Sequence, residues 1–535
     1  MKRFYRKGLV LAAAAAVLAL AGTSWAATLV VGPGETYTTI KSAVLAAAAG
    51  DVIEVREGTY DEDVVISTNN LTLTSVDGPG LAVVRGINAE SGVFTIDSDL
   101  GVSIDGFTIL PGAGNSDGIH HKGGSPTTPV TITNNTMEGF SDHGFYAGSW
   151  SYLTGTTFTF TGNTMRECYT GIYVYGFDGS TIRINNNTVI DCEYGMDLEE
   201  FDEGMGTDAQ VMGNTITLDE SLSGSEGLAL CCMEDTTTIS GNVVTGPYKY
   251  GMYVDYVGCC GKEPAVVFVE GNRVTGADYG LYFYDAAYLP AELSVRDNIV
   301  TGNDYGIYID EFTEASDPES SVQFTNNNLA DNSLYGFYNE TSDLADAKGN
   351  WWGDASGPFD DKTLPGTPDY NNPAGTGSRV SEYVDYDPWL TEAPKPAAPV
   401  LLSPADGAAD VSVTVALETE PFVTGLPVTH KATVWQAATA SDFSSGVVID
   451  EESTTSLTSY AVPDGTLDYG TTYYWRARFR DSDDTLTEWS ATWSFTTEAE
   501  PGPTPSGGGG GGCSTPGFIP SALLLALPVL LLKRR

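Results

Sequence analysis

Between Gly101 and Trp352 the chain alternates apolar and polar residues in runs of three to five, a period of two and not 3.6. The runs share a small vocabulary. One half-unit reads apolar-x-Asn/Gly/Asp-Asn-x-apolar, as in Ile132-Thr133-Asn134-Asn135-Thr136-Met137 and Phe160-Thr161-Gly162-Asn163-Thr164-Met165. It returns at Asn187, Asn214, Asn242, Asn272, Asn298, Asn327 and Asn350, with spacings of 28, 24, 27, 28, 30, 26, 29 and 23 residues. The other half reads Gly-apolar-Tyr-apolar, as in Gly171-Ile172-Tyr173-Val174 and Gly306-Ile307-Tyr308-Ile309. A period in the twenties built from short strands predicts a solenoid of stacked coils. Almost nothing between the runs suits a crossover helix, the leucine-rich spacing is missing, and a propeller blade needs four strands in about 40 residues. The pattern therefore predicts a parallel β-helix, with a β-sandwich array as the competing arrangement. Ile172, Val174, Ile182 and Ile184 point inwards, and Asn187 and its equivalents occupy a tight bend. There, side chains stacked at the ~4.8 Å strand spacing hydrogen-bond from coil to coil.

The repeated Asn-Asn-Thr, Gly-Asn-Thr and Gly-Ile-Tyr motifs resemble the right-handed parallel β-helix superfamily, the pectate-lyase-like fold. Gly349-Asn350-Trp351-Trp352-Gly353-Asp354-Ala355-Ser356-Gly357-Pro358 is similar to the Asn-Trp-Trp-Gly closing coil of secreted β-helix repeat proteins. The resemblance covers roughly residues 28–390 and implies an all-β fold. It leaves function open, since the superfamily holds lyases, hydrolases, esterases, epimerases and adhesins. The opening coils also resemble pectin-methylesterase-like β-helices, but the catalytic Asp–Asp–Arg pattern of those enzymes has no matching positions.

At the N-terminus, Lys2, Arg3, Arg6 and Lys7 precede an apolar run and Ser24-Trp25-Ala26, which predicts a secretory signal peptide over residues 1–26. Residues 28–390 form the solenoid. Tyr37 to Leu45 suits a covering helix capped by Thr38 or Thr39 and stopped at Gly50, because the raw end of a β-helix needs a lid. A linker over 391–399 leads to longer strands around Trp435, Tyr473-Tyr474-Trp475-Arg476 and Trp493-Ser494-Phe495. Residues 400–497 resemble a fibronectin-type-III-like sandwich, expected to act as a spacer. A Pro/Gly-rich linker over 498–512 precedes Cys513, an apolar stretch from Phe518 to Leu532, and Lys533-Arg534-Arg535. Residues 513–535 resemble the Gly-Gly-CTERM and Synerg-CTERM sorting signals, which implies transfer to a bacterial cell surface or outer envelope with Cys513 as the processing or lipidation site. A plain membrane anchor at the tail is the alternative.

Charge and cysteine content narrow the function. A net charge of −46 argues against a nucleic-acid partner and leaves few cations for a polyuronate lyase. Seven cysteines in an exported chain predict disulfides: Cys168 with Cys192 in neighbouring coils, and the vicinal pairs Cys231-Cys232 and Cys259-Cys260 between loops. Buried thiols at Cys168 and Cys192, or a zinc site built from the other four, are the alternatives.

Residues two and four after each strand glycine share the outward face. They form one row with Tyr146, Tyr173, Asp197, Tyr253, Tyr282, Tyr308 and Tyr338, and another with Tyr175, Glu199, Cys231, Asp255, Tyr284 and Asp310. Aromatic rings with hydroxyls suit sugar rings and carboxylates suit sugar hydroxyls, so the tyrosines are candidate ligand-binding residues; stacking of tyrosine on itself is the plainer explanation. Carboxylates along one stripe repel, which either raises their pKa values or calls for a calcium ion at Glu199, Asp255 and Asp310. Asp197 and Glu199 have a spacing compatible with a glycosidase pair. His120 and His143, with Asp117 in the same coils, are candidates for acid–base or metal chemistry, against solvated polar residues at a coil edge. The expected function is polysaccharide recognition at the cell surface. The rivals are a glycoside hydrolase or polysaccharide lyase in the same groove, and a structural or adhesive protein without a glycan.

Overall fold

The computed structural model describes residues 26–87, 92–114, 116–148, 153–201, 206–233, 236–258, 265–285, 291–311, 321–362 and 371–502. Residues 1–25 of the segment expected to be a signal peptide, Cys259, Cys260 and the tail with Cys513 lie outside them. Three all-parallel sheets of 12, 11 and 10 strands dominate, and each lists its strands in chain order. One coil contributes one strand to each sheet, so the chain is a parallel β-helix. The back sheet runs from Thr28–Val31 to Ser321–Thr325. The short sheet runs from Gly58–Asp61 to Ile299–Val300, and the tyrosine sheet from Val64–Ile66 to Tyr335–Asn339.

Period-two alternation becomes inside and outside: Ile172, Val174, Ile182 and Ile184 are fully buried. The bend between the back and short sheets explains the Asn/Gly/Asp-Asn motif. Its first residue is left-handed in every coil: Asn134, Gly162, Asn186, Gly213, Gly241, Gly271, Asp297, Asn326 and Gly349 have φ between 55° and 70°. The following Asn is buried and forms a ladder. In Asn242, for example, the backbone N–H and Nδ2 both donate to Asn272 Oδ1 at 3.0 Å, and Nδ2 also donates to Val211 O at 2.8 Å. The ladder runs unbroken from Asn135 to Asn350. A second, shorter one joins Asn303 to Asn332. The strand glycines answer a close approach between coils: a Cβ on Gly195 would lie 2.2 Å from the carbonyl oxygen of Gly227.

The covering helix spans Ile40–Ala46 with Thr39 as N-cap. It ends before Gly50, because Ala47 closes the last turn on Ala43 and Asp51 captures the N–H of Ala48 at 2.8 Å. Both oxygens of Glu62 take the first helical N–H groups, at Ile40 and Lys41. At the other end, fully buried Trp352 and Tyr386 close the core.

Residues 401–497 form two sheets, of three and five strands, around Trp435, Trp475, Tyr473 and Phe495. The sandwich is seated on the solenoid. Leu426 and Val428 bury against Ile299, and Arg273 reaches Asp483 at 2.5 Å and the carbonyl of Pro427 at 3.5 Å. A small apolar patch and one guanidinium, both on the short-sheet side, hold the sandwich there. Among the described residues, no helix is long and apolar enough to cross a membrane.

Candidate functional site

The tyrosine sheet brings its outward residues into register. His120, Tyr146, Tyr173, Asp197, Ala229, Tyr253, Tyr282, Tyr308 and Tyr338 pair in succession along one column. The rings of Tyr253, Tyr282, Tyr308 and Tyr338 stack 5.4, 5.3 and 5.0 Å apart at 12°, 12° and 15°. Tyr146 and Tyr173 form a separate stack at 5.4 Å and 10°, with His120 added at 4.6 Å from Tyr146. A neighbouring column of Tyr250, Tyr279, Tyr305 and Tyr335 packs edge-on against the first, as at Tyr305–Tyr308, 87°.

Stacking changes what the tyrosines offer. Within a run the ring faces are covered by the neighbouring rungs, and Tyr282 is only 8% exposed. The hydroxyls are engaged too: Tyr282 donates to Asp310, Tyr308 to Glu340, Tyr175 to Glu200 at 2.9 Å and Tyr253 to Asp255 at 3.3 Å. Burial and the adjoining carboxylates keep these phenols protonated, with Tyr175 pushed up to about 12 chiefly by its bond to Glu200. Tyr284 takes its place in the second row and meets Tyr256 edge-on at 5.7 Å.

The interruption between the two stacks is the chemically distinct place. Asp197 and Ala229 occupy the rungs between Tyr173 and Tyr253, so each of these rings ends a stack and has one face without a column tyrosine. Beside the gap, Glu199, Cys231 and Asp255 pair in register, and Glu226 lies in the flanking column between Tyr194 and Tyr250. Burial, then the charges of Glu199 and Glu226, push Asp197 up to about 7. Burial pushes Asp255 up to about 6, against its bonds to Tyr253 and Tyr256. Burial likewise raises Glu199, which the Tyr173 hydroxyl partly offsets, and raises Glu226, opposed by Lys249. The buried Oδ1 of Asp255 has no hydrogen-bond partner. Four carboxyl groups thus gather here with a single lysine acting against them, and burial pushes the pKa of each one up.

Of the sequence-derived residues, Asp197, Glu199 and Asp255 come together, and Asp310 does not. It lies beyond the rung of Tyr284 and bonds Tyr282, so the three proposed calcium ligands share no site. Glu226 also belongs to the gap, and the sequence motif does not single it out, because it precedes its strand glycine in a position where other coils place tyrosine. Among the described residues Cys168, Cys192 and Cys231 form no disulfide, so the expected Cys168–Cys192 bridge is not made. Cys168 and Cys192 are buried where thiols bond carbonyls, at Arg166 and Ile190. Cys231 and Cys232 face each other at 3.0 Å.

At the start of the column Asp117 accepts from His120 Nδ1 at 2.8 Å and from His143 Nδ1 at 2.9 Å. Burial would raise its carboxyl, but the two imidazole bonds outweigh this and hold it below the ordinary range. Adjacent His121 points the opposite way, into the core, and burial lowers it to about 4.

Fold and face together define a parallel β-helix carrying one ordered stripe of tyrosines and carboxylates. Residues 134–357 match the family described as NosD, periplasmic copper-binding protein. No curated protein matches the chain. Among solved structures, the A-module of the mannuronan C-5 epimerase AlgE6 of Azotobacter vinelandii is 13% identical, covering 66% of this chain and 94% of that one with a TM-score of 0.31. The pectin methylesterase PemA of Erwinia chrysanthemi is 13% identical, covering 70% and 100% with a TM-score of 0.22. A pectin methylesterase of Aspergillus niger is 12% identical, covering 54% and 82% with a TM-score of 0.22. As to copper, Met137, Met165, Met196, Met233 and Met252 are fully buried core residues, so the described residues assemble no thioether set for Cu(I). The group whose donors do converge is of nitrogen and oxygen type, Asp117, Asp142 and His143.

Proposed function

We propose that this chain is an exported polysaccharide-binding β-helix protein, and that the break in its tyrosine column is the principal sugar-contacting site. The observation that carries the reading is the register itself. Two tyrosine stacks terminate on either side of Asp197 and Ala229, leaving ring faces at Tyr173 and Tyr253 next to Glu199, Glu226 and Asp255. Ring faces pack on sugar C–H groups, carboxylates accept from sugar hydroxyls, and a carboxyl whose pKa is pushed up to about 7, as at Asp197, also donates to them. Tyr146, Tyr175, Tyr282, Tyr284, Tyr308 and Tyr338 extend the surface on both sides as secondary contacts through their ring edges. Export to the periplasm or beyond, a sandwich of fibronectin-III type at 400–497 and surface attachment through the Cys513 segment belong to the same proposal. Export is supported by the N-terminal sequence signal and the description of the matched family, the sandwich type by its two sheets and strand motifs, and attachment by the C-terminal sequence signal alone.

Affinity electrophoresis through gels containing different neutral and acidic glycans tests it. Tyr173→Ala and Tyr253→Ala each remove a ring face that no column tyrosine covers and are expected to weaken retardation about tenfold, a loss of about 1.4 kcal/mol. Tyr282→Phe, inside a stack, is expected to leave it nearly unchanged. Equal effects at all three positions, or no retardation by any glycan, would overturn the assignment.

The elevated pKa of Asp197 favours a second reading, a glycoside hydrolase with Asp197 as proton donor and Glu199 as the opposing carboxylate. Reducing-sugar release that disappears in Asp197→Asn would establish it. Glycan binding without turnover would leave the binding reading alone.

A further inference from the structure

The histidine end of the tyrosine sheet holds a constellation that glycan recognition does not use. Asp117, only 3% exposed, lies one rung before His143, and Asp142 stands at the coil edge beside it. His143 Nδ1 is 2.9 Å from Asp117 Oδ1, and His143 Nε2 is 3.5 Å from Asp142 Oδ1. One ligand atom from each of Asp117, Asp142 and His143 falls within 4.8 Å of the others, and among the described residues no other such trio occurs. Donor atoms around one ion at bond lengths of about 2.0–2.2 Å lie about 3–3.5 Å apart. Drawing the three donors, already within 4.8 Å of one another, onto an ion therefore takes only a small side-chain adjustment that lets one nitrogen of His143 serve both carboxylates. The opposite oxygen of Asp117 is held by His120 at 2.8 Å, an outer contact of the kind that orients ligating carboxylates. Among the described residues neither carboxylate is paired with a lysine or arginine. The buried negative charge of Asp117 is met by two imidazoles and the backbone N–H of His143, and by no cationic side chain among the described residues.

We propose that Asp117, Asp142 and His143 bind one divalent transition-metal ion, with water completing its shell and His120 positioning Asp117. The donor set chooses the class of ion. One imidazole and two carboxylates suit Zn²⁺ or a similar borderline ion; Ca²⁺ takes six to eight oxygens, and Cu(I) takes sulfur. The site stands apart from the gap at Asp197, separated from it along the column by the Tyr146–Tyr173 stack. It is independent of whether the protein binds a glycan.

Zn²⁺ titration calorimetry on the full chain, with a purification tag free of histidine and excess Ca²⁺ to occupy surface carboxylates, tests the site. The expected result is one Zn²⁺ per chain. His143→Ala is expected to abolish that ion, Asp142→Asn to weaken it at least tenfold, and His120→Ala to weaken it less than His143→Ala does. Asp142 is half exposed, so Asp142→Asn decides the matter if His143→Ala fails to fold. Absence of Zn²⁺ binding in the presence of Ca²⁺, or retention of the stoichiometric ion by Asp142→Asn and His143→Ala at unchanged affinity, would overturn the proposal.

Discussion

Asp197→Asn is expected to stabilise the protein, and by an amount that grows with pH. Asp197 has a folded-state pKa of about 7 against 3.8 for the free carboxyl, because burial and the charges of Glu199 and Glu226 disfavour its ionised form. Below pH 3.8 both states hold the proton, and the group contributes nothing. Between pH 3.8 and 7 the unfolded chain releases the proton while the folded chain retains it, so folding loses stability as pH rises. Above 7 the penalty is complete. Three units at 1.36 kcal/mol each give about 4 kcal/mol as an upper figure, and sharing of protons with the neighbouring carboxylates reduces it to about 2–3 kcal/mol. The asparagine is close in shape and carries no charge, so it removes the penalty without opening a cavity. Urea denaturation of both proteins at pH 4, 6 and 8 measures the difference. The variant's advantage should be near zero at pH 4 and reach its full value at pH 8. An advantage that is flat across that range, or largest at pH 4, would show that Asp197 is not the buried, carboxylate-flanked acid described here.

Asn242→Ala removes the acceptor for the backbone and side-chain N–H groups of Asn214 and the donor to the carbonyl of Val211. Three buried groups left without partners cost roughly 3–6 kcal/mol, to be read as a lowered urea midpoint. Leu426→Asp, and to a lesser degree Arg273→Ala, should release the sandwich from the solenoid and raise the rate of proteolytic cleavage in residues 391–399 without unfolding either unit. Cleavage unchanged in both variants would show that the contact does not hold the two together.

The alternation and the spacing of Asn135 through Asn350 specify the solenoid on their own. One residue type at one bend sets the register of every coil, and register then assigns each outward side chain to a column. The alignment of His120, Tyr146 and Tyr173, and of Tyr253 through Tyr338, follows from counting along the chain. So do the proximity of Asp117 to His143 and the shared face of Asp197, Glu199 and Asp255. Only the three-dimensional packing decided what those columns present. Rings one rung apart lie close enough to cover each other's faces, which turns a stripe of ring faces into two stacks interrupted at Asp197 and Ala229. Whether a carboxylate holds a proton depends on burial and on charges arriving from other coils, as Glu226 does at Asp197, and neither is written in a local motif. The seating of the sandwich on Ile299 is of the same kind, since it joins residues far apart in the chain that no repeat relates. Periodicity carries information along the strand and from rung to rung; electrostatics and side-chain packing act across space, and for those the fold had to be seen.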